Sequence, residues 1–156
     1  RSMIGHSQPD IIVHLAGSSA GKPDYDNPSL VFEENVSGTN NLATACSTLK
    51  TPPKFLLASS IVVYGNMQSP DDWLLELSPR NPTTPYGISK LTCEHIINMY
   101  TKQGVIQGTS LRLGATVGPM LTHGVVFDFM KKKRIITIQA GRRNNIAHNR
   151  LIVHLG

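Results

Sequence analysis

The chain has 156 residues, 40% of them hydrophobic and 16% charged, which suits one soluble globular domain with a sizeable core. No apolar run approaches the ~20 residues of a membrane-spanning helix, and no charged segment followed by an apolar one opens the chain, so neither a membrane span nor a secretory signal is expected and the default location is cytoplasmic. The net charge of +5 is unevenly placed: residues 1–130 carry eight Lys and Arg against ten Asp and Glu, whereas residues 131–156 carry seven Lys and Arg and no acid.

Residues 11–16 form a continuous apolar run with one histidine, short enough for a buried parallel strand. Residues 17–23 read as a loop. Asn27-Pro28 predicts a helix start, with Asn27 as N-cap and Pro28 at the first position. That helix should run to about residue 49, burying Phe32, Val36, Ala43 and Cys46, until Pro52-Pro53 stops it. Residues 54–60 predict the next buried strand. Residues 68–84 form a Pro-rich loop containing Trp73, placed to face a substrate. Thr84 and Pro85 predict the cap and first turn of a helix that buries Ile96, Ile97 and Tyr100 and ends at Gly104. A strand follows within residues 105–113, then a helix over 123–133. Alternating helices and buried strands imply a parallel sheet with helices on both faces. Ala16, Gly17, Ser59, Ser60 and Gly114 then fall at the carboxyl ends of strands, the edge where such folds bind ligands.

The chemistry is concentrated in Pro85-Tyr-Gly-Ile-Ser-Lys90 and in Ser59-Ser60, with Ser60 26 residues upstream of Tyr86. Tyr86 and Lys90 stand at i and i+4, one face of a helix. An ammonium beside a phenol favours the phenolate, and such a tyrosine can take a proton from a substrate hydroxyl near neutral pH. Other residues read more plainly. Cys46 and Cys93 fall in predicted helices and are expected as buried, reduced thiols. The six histidines show no metal-ligand spacing, and His14 is expected in the core or at a strand end.

Several segments in one order resemble the extended short-chain dehydrogenase/reductase family, in its NAD-dependent epimerase/dehydratase branch typified by UDP-glucose 4-epimerase. They are Pro9-Asp-Ile-Ile-Val-His-Leu-Ala-Gly17, Asn35-Val-Ser-Gly-Thr39, Ser59-Ser60 followed by Val63-Tyr64-Gly65, Asn81-Pro82 with Pro85-Tyr86-Gly87-Ile88-Ser89-Lys90, and Leu111-Arg112 with Val117-Gly118-Pro119. The resemblance covers about residues 9 to 132. It implies an α/β fold: part of a Rossmann-type, doubly wound parallel sheet. It also implies a nicotinamide cofactor, NAD with NADP as the alternative, and a nucleotide-sugar or similar polyol substrate. Carried over residue by residue, Tyr86 is the acid/base, Lys90 binds the nicotinamide ribose and Ser60 hydrogen-bonds the reacting oxygen. The cofactor-binding set is Ala16, Gly17, Ser18, Asn35, Ser59, Tyr86 and Lys90. Dimerisation through the helix carrying Tyr86 is common in the family and is an expectation for a full-length parent.

Two departures qualify the match. No Gly-x-x-Gly-x-x-Gly is present, although the family places one in its first strand–helix unit, where helix N–H groups hold the pyrophosphate. The chain therefore reads as a piece lacking the N-terminal glycine-rich βαβ units. Residues 1–132 read as the C-terminal part of a dinucleotide-binding domain, and residues 133–156 as a divergent basic tail, disordered or frame-shifted. That tail lacks interleaved aromatics for base stacking, so nucleic acid is not an expected partner.

The reaction class follows from what flanks Ser60. Related dehydratases and decarboxylases carry carboxylates in this segment, and a second acid/base is needed to expel water. Ile61 and Val62 cannot move a proton, so dehydration is disfavoured. A 4-epimerase, which abstracts a hydride transiently, is the favoured expectation. A dehydrogenase or reductase using the same Ser/Tyr/Lys set, or an inactive fragment, is the alternative. Where epimerases of the family resemble Arg-Tyr-Phe-Asn, this chain has Arg112-Leu113-Gly114-Ala115, which weakens the sugar assignment.

Overall fold

The structure, a computed structural model, describes residues 3–18, 26–66, 73–114, 136–139 and 150–153. Two compact units divide the chain, Arg1–Gly114 and Ala115–Gly156. In the first, a short helix α1 (Met3–Ser7) precedes strand β1 (Ile11–His14), which is two residues shorter than the apolar run suggests. Strand β2 spans Lys54–Ser60 as expected, and β3 spans Gln107–Leu113. They form a parallel sheet in the order β1-β2-β3, with Val13 beside Leu56 and Ser59 beside Arg112.

The helix starting at Asn27 is capped as its sequence dictates: the Asn27 side chain accepts from Leu30 N at 3.3 Å and Pro28 occupies the first turn. It is not one uniform helix. α2 (Pro28–Phe32) passes into a π-helical turn (Glu33–Ser37) and then α3 (Gly38–Cys46). The inward-facing positions explain the wide turn. Val31, Asn35, Thr39 and Ala43 are all buried, each four residues after the last. Three such steps over-rotate a 3.6-residue helix by about 120°, close to the ~100° that one inserted residue absorbs. The helix ends at Cys46, three residues before the expected stop. Hydrogen bonds from Ser47, Thr48 and Leu49 N–H groups to carbonyls three residues back tighten the final turn.

Helix α4 (Pro85–Lys102) is capped by Thr84, whose hydroxyl accepts from Gly87 N at 2.9 Å. Gly104, with φ of +73°, ends it in the left-handed conformation that glycine adopts without strain. Beneath α3 and α4 lies the core: Ala43, Cys46, Phe55, Leu57, Cys93, Ile97 and Ile106. Phe55, Leu57 and Ser59 alternate inward along β2. Among the described residues helices cover this one face. The opposite face carries Ile11, Val13, Leu111 and Leu113, with Ile11 57% and Val13 56% exposed. The parallel α/β arrangement is as expected, while helix packing on both faces is not seen among these residues.

In the second unit, β4 (Ile136–Gln139) and β5 (Arg150–Val153) pair antiparallel, with Ile136 opposite Val153. The helix expected over 123–133 lies outside the described residues.

Candidate functional site

The carboxyl ends of β1 and β2 and the first turns of α4 meet at one sheet edge. Ser60, the last residue of β2, turns the chain into a 3-10 segment (Ile61–Tyr64), and its hydroxyl accepts from Val62 N at 3.4 Å. A Cβ on Gly87 would lie 3.0 Å from the Val62 carbonyl oxygen, so the backbone beside Tyr86 packs directly on the turn that follows Ser60. Gly65 closes the same turn with φ of +75°, and a side chain there would collide with the Asn81 carbonyl. Sequence-distant pieces are thereby held together by close backbone approach.

On α4 the Lys90 ammonium lies 5.6 Å from the centroid of the Tyr86 ring. Lys90 is only 6% exposed, and its Nζ donates to the Ala58 carbonyl at 3.0 Å. Burial lowers its pKa from the usual lysine value, against a weaker opposing pull from Cys93. The structure thus brings Tyr86 and Lys90 together, and Lys90 reaches the strand two residues before Ser60.

The loop after β1 contributes Ala16, Gly17 and Ser18. Ala16 is exposed, and the Ser18 hydroxyl bonds the Glu34 carboxylate. Gly17, at φ of +137°, presses against Asn35 so closely that a Cβ would collide with the Asn35 Oδ1. Asn35 sits in the π turn, 1% exposed; its Nδ2 donates to Ser89 Oγ at 2.9 Å, and Ser89 donates to the Tyr86 carbonyl at 2.7 Å. Its Oδ1 is a buried acceptor without a partner among the described residues. The missing side chain at Gly17 makes room for the Asn35 amide, which fixes the exposed loop backbone at the strand edge, a placement that suits main-chain contact with a dinucleotide.

Ser59 faces the other way from Ser60, as strand alternation requires. Its hydroxyl donates to Glu94 Oε1 at 2.6 Å, so the side chain is turned away from the Ser60 turn. Glu94 and its partners are the feature that sequence reasoning passed over. Arg112 donates to Glu94 through Nε at 2.9 Å and Nη2 at 2.8 Å, and through Nη1 to the Tyr64 hydroxyl at 2.7 Å and the Glu76 carbonyl at 2.8 Å. Burial opposes ionisation of Glu94, but hydrogen bonds from Arg112 and Ser59, with the charges of Arg112 and Arg80, outweigh it and hold the carboxyl below its usual range. The available signal was the spacing: Glu94 stands one helical turn beyond Lys90.

His14 is buried, as expected, with Nε2 3.0 Å from the Thr39 hydroxyl. Burial, then the Lys90 charge, lowers its pKa. Cys46 and Cys93 are free and buried. Among the described residues no cluster could hold a metal, and no helix is long and apolar enough to cross a membrane.

Residues 1–146 match the NAD dependent epimerase/dehydratase family. The chain is 35% identical over 125 residues to a UDP-glucose 4-epimerase of Mycoplasma genitalium, covering 78% of this chain and 36% of that protein. It is 31% identical to a D-erythronate dehydrogenase of Haemophilus influenzae, covering 67% of this chain and 32% of that protein. Among solved structures, RMD from Pseudomonas aeruginosa complexed with NADPH superposes with a TM-score of 0.74 at 25% identity, over 80% of this chain and 43% of that one. The chain spans about a third of the length of these two curated relatives. Nicotinamide-dependent enzymes thus share both its sequence and its Rossmann-like fold, and the chain belongs to the NAD-dependent epimerase/dehydratase family.

Proposed function

We propose that the polypeptide carrying this chain is an NAD-dependent nucleotide-sugar 4-epimerase, with NADP as the alternative cofactor. The observation that carries the reading is the buried Lys90 ammonium beside the Tyr86 ring, at the strand edge where Ser60 ends β2. Bound nicotinamide would supply a reversible hydride acceptor. Ala16, Gly17, Ser18, Asn35, Ser59, Tyr86 and Lys90 are the residues assigned to hold it, supported by the close Gly17–Asn35 contact that fixes the loop after β1.

Tyr86 takes the proton of the sugar hydroxyl, and the fixed charge of Lys90 stabilises the oxygen that receives it. Ser60 accepts from Val62 N through a lone pair and so keeps its own O–H to donate to the reacting oxygen. Ile61 and Val62 offer no second acid to expel a leaving group. Epimerisation asks only that the hydride return to the opposite face of the carbonyl carbon while the proton returns to its oxygen. The M. genitalium epimerase relative favours this reading.

A polyol dehydrogenase is the second reading, favoured by the D-erythronate dehydrogenase relative and by Gly114 at the position where family epimerases carry an aromatic. In the complete polypeptide, Tyr86→Phe should reduce turnover of a UDP-hexose by roughly a thousandfold while NAD still binds. Full turnover in that variant contradicts the assignment. Net NADH production from a polyol, without interconversion of UDP-hexoses, selects the second reading.

A further inference from the structure

Helix α4 carries Tyr86 and Lys90, yet little apolar packing fixes its first half. Its buried positions run Gly87, Ser89, Lys90, Cys93 and Glu94 before the first large apolar one, Ile97. Small and polar side chains there let a helix slide or turn on the sheet. Directional bonds must set its register instead. Two reach adjacent residues of β2: Lys90 to the Ala58 carbonyl and Glu94 to the Ser59 hydroxyl.

The two tethers are unequal. The lysine stem has four rotatable bonds and can follow a displaced helix. Glu94 is shorter, 6% exposed, and gripped at both oxygens by Arg112. Ser59 and Arg112 are themselves register partners on neighbouring strands. Their side chains converge on one carboxylate, so its position is set by the sheet. The last Arg112 nitrogen reaches the Tyr64 hydroxyl and the Glu76 carbonyl, tying in the turn after Ser60 and the segment that precedes α4.

We infer that Glu94 is a positioning residue, locking α4 to the Ser59–Arg112 pair so that Tyr86 and Lys90 stand in fixed register with Ser60. Its consequence for turnover rests on the proposed function; its consequence for the placement of Lys90 does not.

Glu94→Asp keeps the charge and retracts the carboxylate by one methylene, and Ile97→Val, in the same helix, serves as a control for lost stability. In the 156-residue chain, amine acetylation of Lys90 should speed up about threefold or more in Glu94→Asp, relative to Lys102, and stay unchanged in the control. In the complete polypeptide, Glu94→Asp should lower kcat roughly tenfold to a hundredfold, with Ile97→Val again as the control. Lys90 labelling in Glu94→Asp equal to the control overturns the inference, whatever the turnover. Absence of turnover in the unsubstituted polypeptide overturns the functional reading alone, because the labelling still decides the placement.

Discussion

Two polar networks flank the Tyr86–Lys90 pair, and they are built on different physics. Towards β1 the groups are neutral: His14, Thr39, Cys93, Asn35 and Ser89 pass hydrogen bonds from the strand, through the π turn, to the Tyr86 carbonyl. Towards β3 the groups are ionic: Ser59, Glu94, Arg112 and Arg80. The neutral network lies wholly within the helix–sheet interface. The ionic one reaches solvent at Arg112, whose side chain is 18% exposed, against 5% for Glu94. A buried neutral network loses about 1–3 kcal/mol when one member goes and leaves a partner unsatisfied. A buried carboxylate costs much to desolvate, so its partners become indispensable. The two sides of the site should therefore respond very differently to single changes.

The sharpest contrast comes from Arg112→Met, which leaves the Glu94 carboxylate buried with Ser59 as its remaining strong donor. Thermal or denaturant unfolding should show a loss of about 3 kcal/mol; a loss below that of the neutral side would erase the distinction. Acid should separate the two networks next. His14 is held neutral in the fold, so the unfolded chain takes up its proton first and stability begins to fall as pH drops below the ordinary histidine value of 6.5. Glu94 is held ionised, so its contribution is complete above the ordinary 4.5 and is lost as pH falls through its lower folded value. Unfolding free energy followed against pH should fall in two stages, with His14→Asn flattening the first and Glu94→Gln the second. The smallest effect belongs to Thr39→Val, which removes a hydroxyl shared by His14 and Cys93 and should cost about 1 kcal/mol.

What the sequence made legible was local. Asn27 and Thr84 announce their helices because capping is a short-range bond, and both caps form. The bounds of β2 follow from Pro52-Pro53 on one side and Ser60 on the other. The Tyr86–Lys90 contact follows from helical spacing alone. Features resting on distant partners were not legible. The π turn records a mismatch between helical pitch and the four-residue spacing of Val31, Asn35, Thr39 and Ala43, visible only once their common burial is known. The role of Glu94 depends on β3 placing Arg112 beside Ser59, a pairing between residues 53 apart in sequence. Ser59 and Ser60 are chemically identical neighbours, and strand alternation sends one to Glu94 and the other to the turn.

On the proposed function, the ligand binds at the edge formed by Ala16–Ser18, Ser60 and Tyr86–Lys90. The opposite edge of the same sheet offers a competing cleft of about 600 Å³, lined by residues that include Pro52, Lys54, Gly104 and Gln107. Amide chemical-shift mapping of the complete polypeptide titrated with NAD distinguishes them. Shifts concentrated at Gly17, Asn35, Ser60 and Lys90 are the predicted result; shifts confined to Lys54, Gly104 and Gln107, or no saturable shifts, would contradict the account.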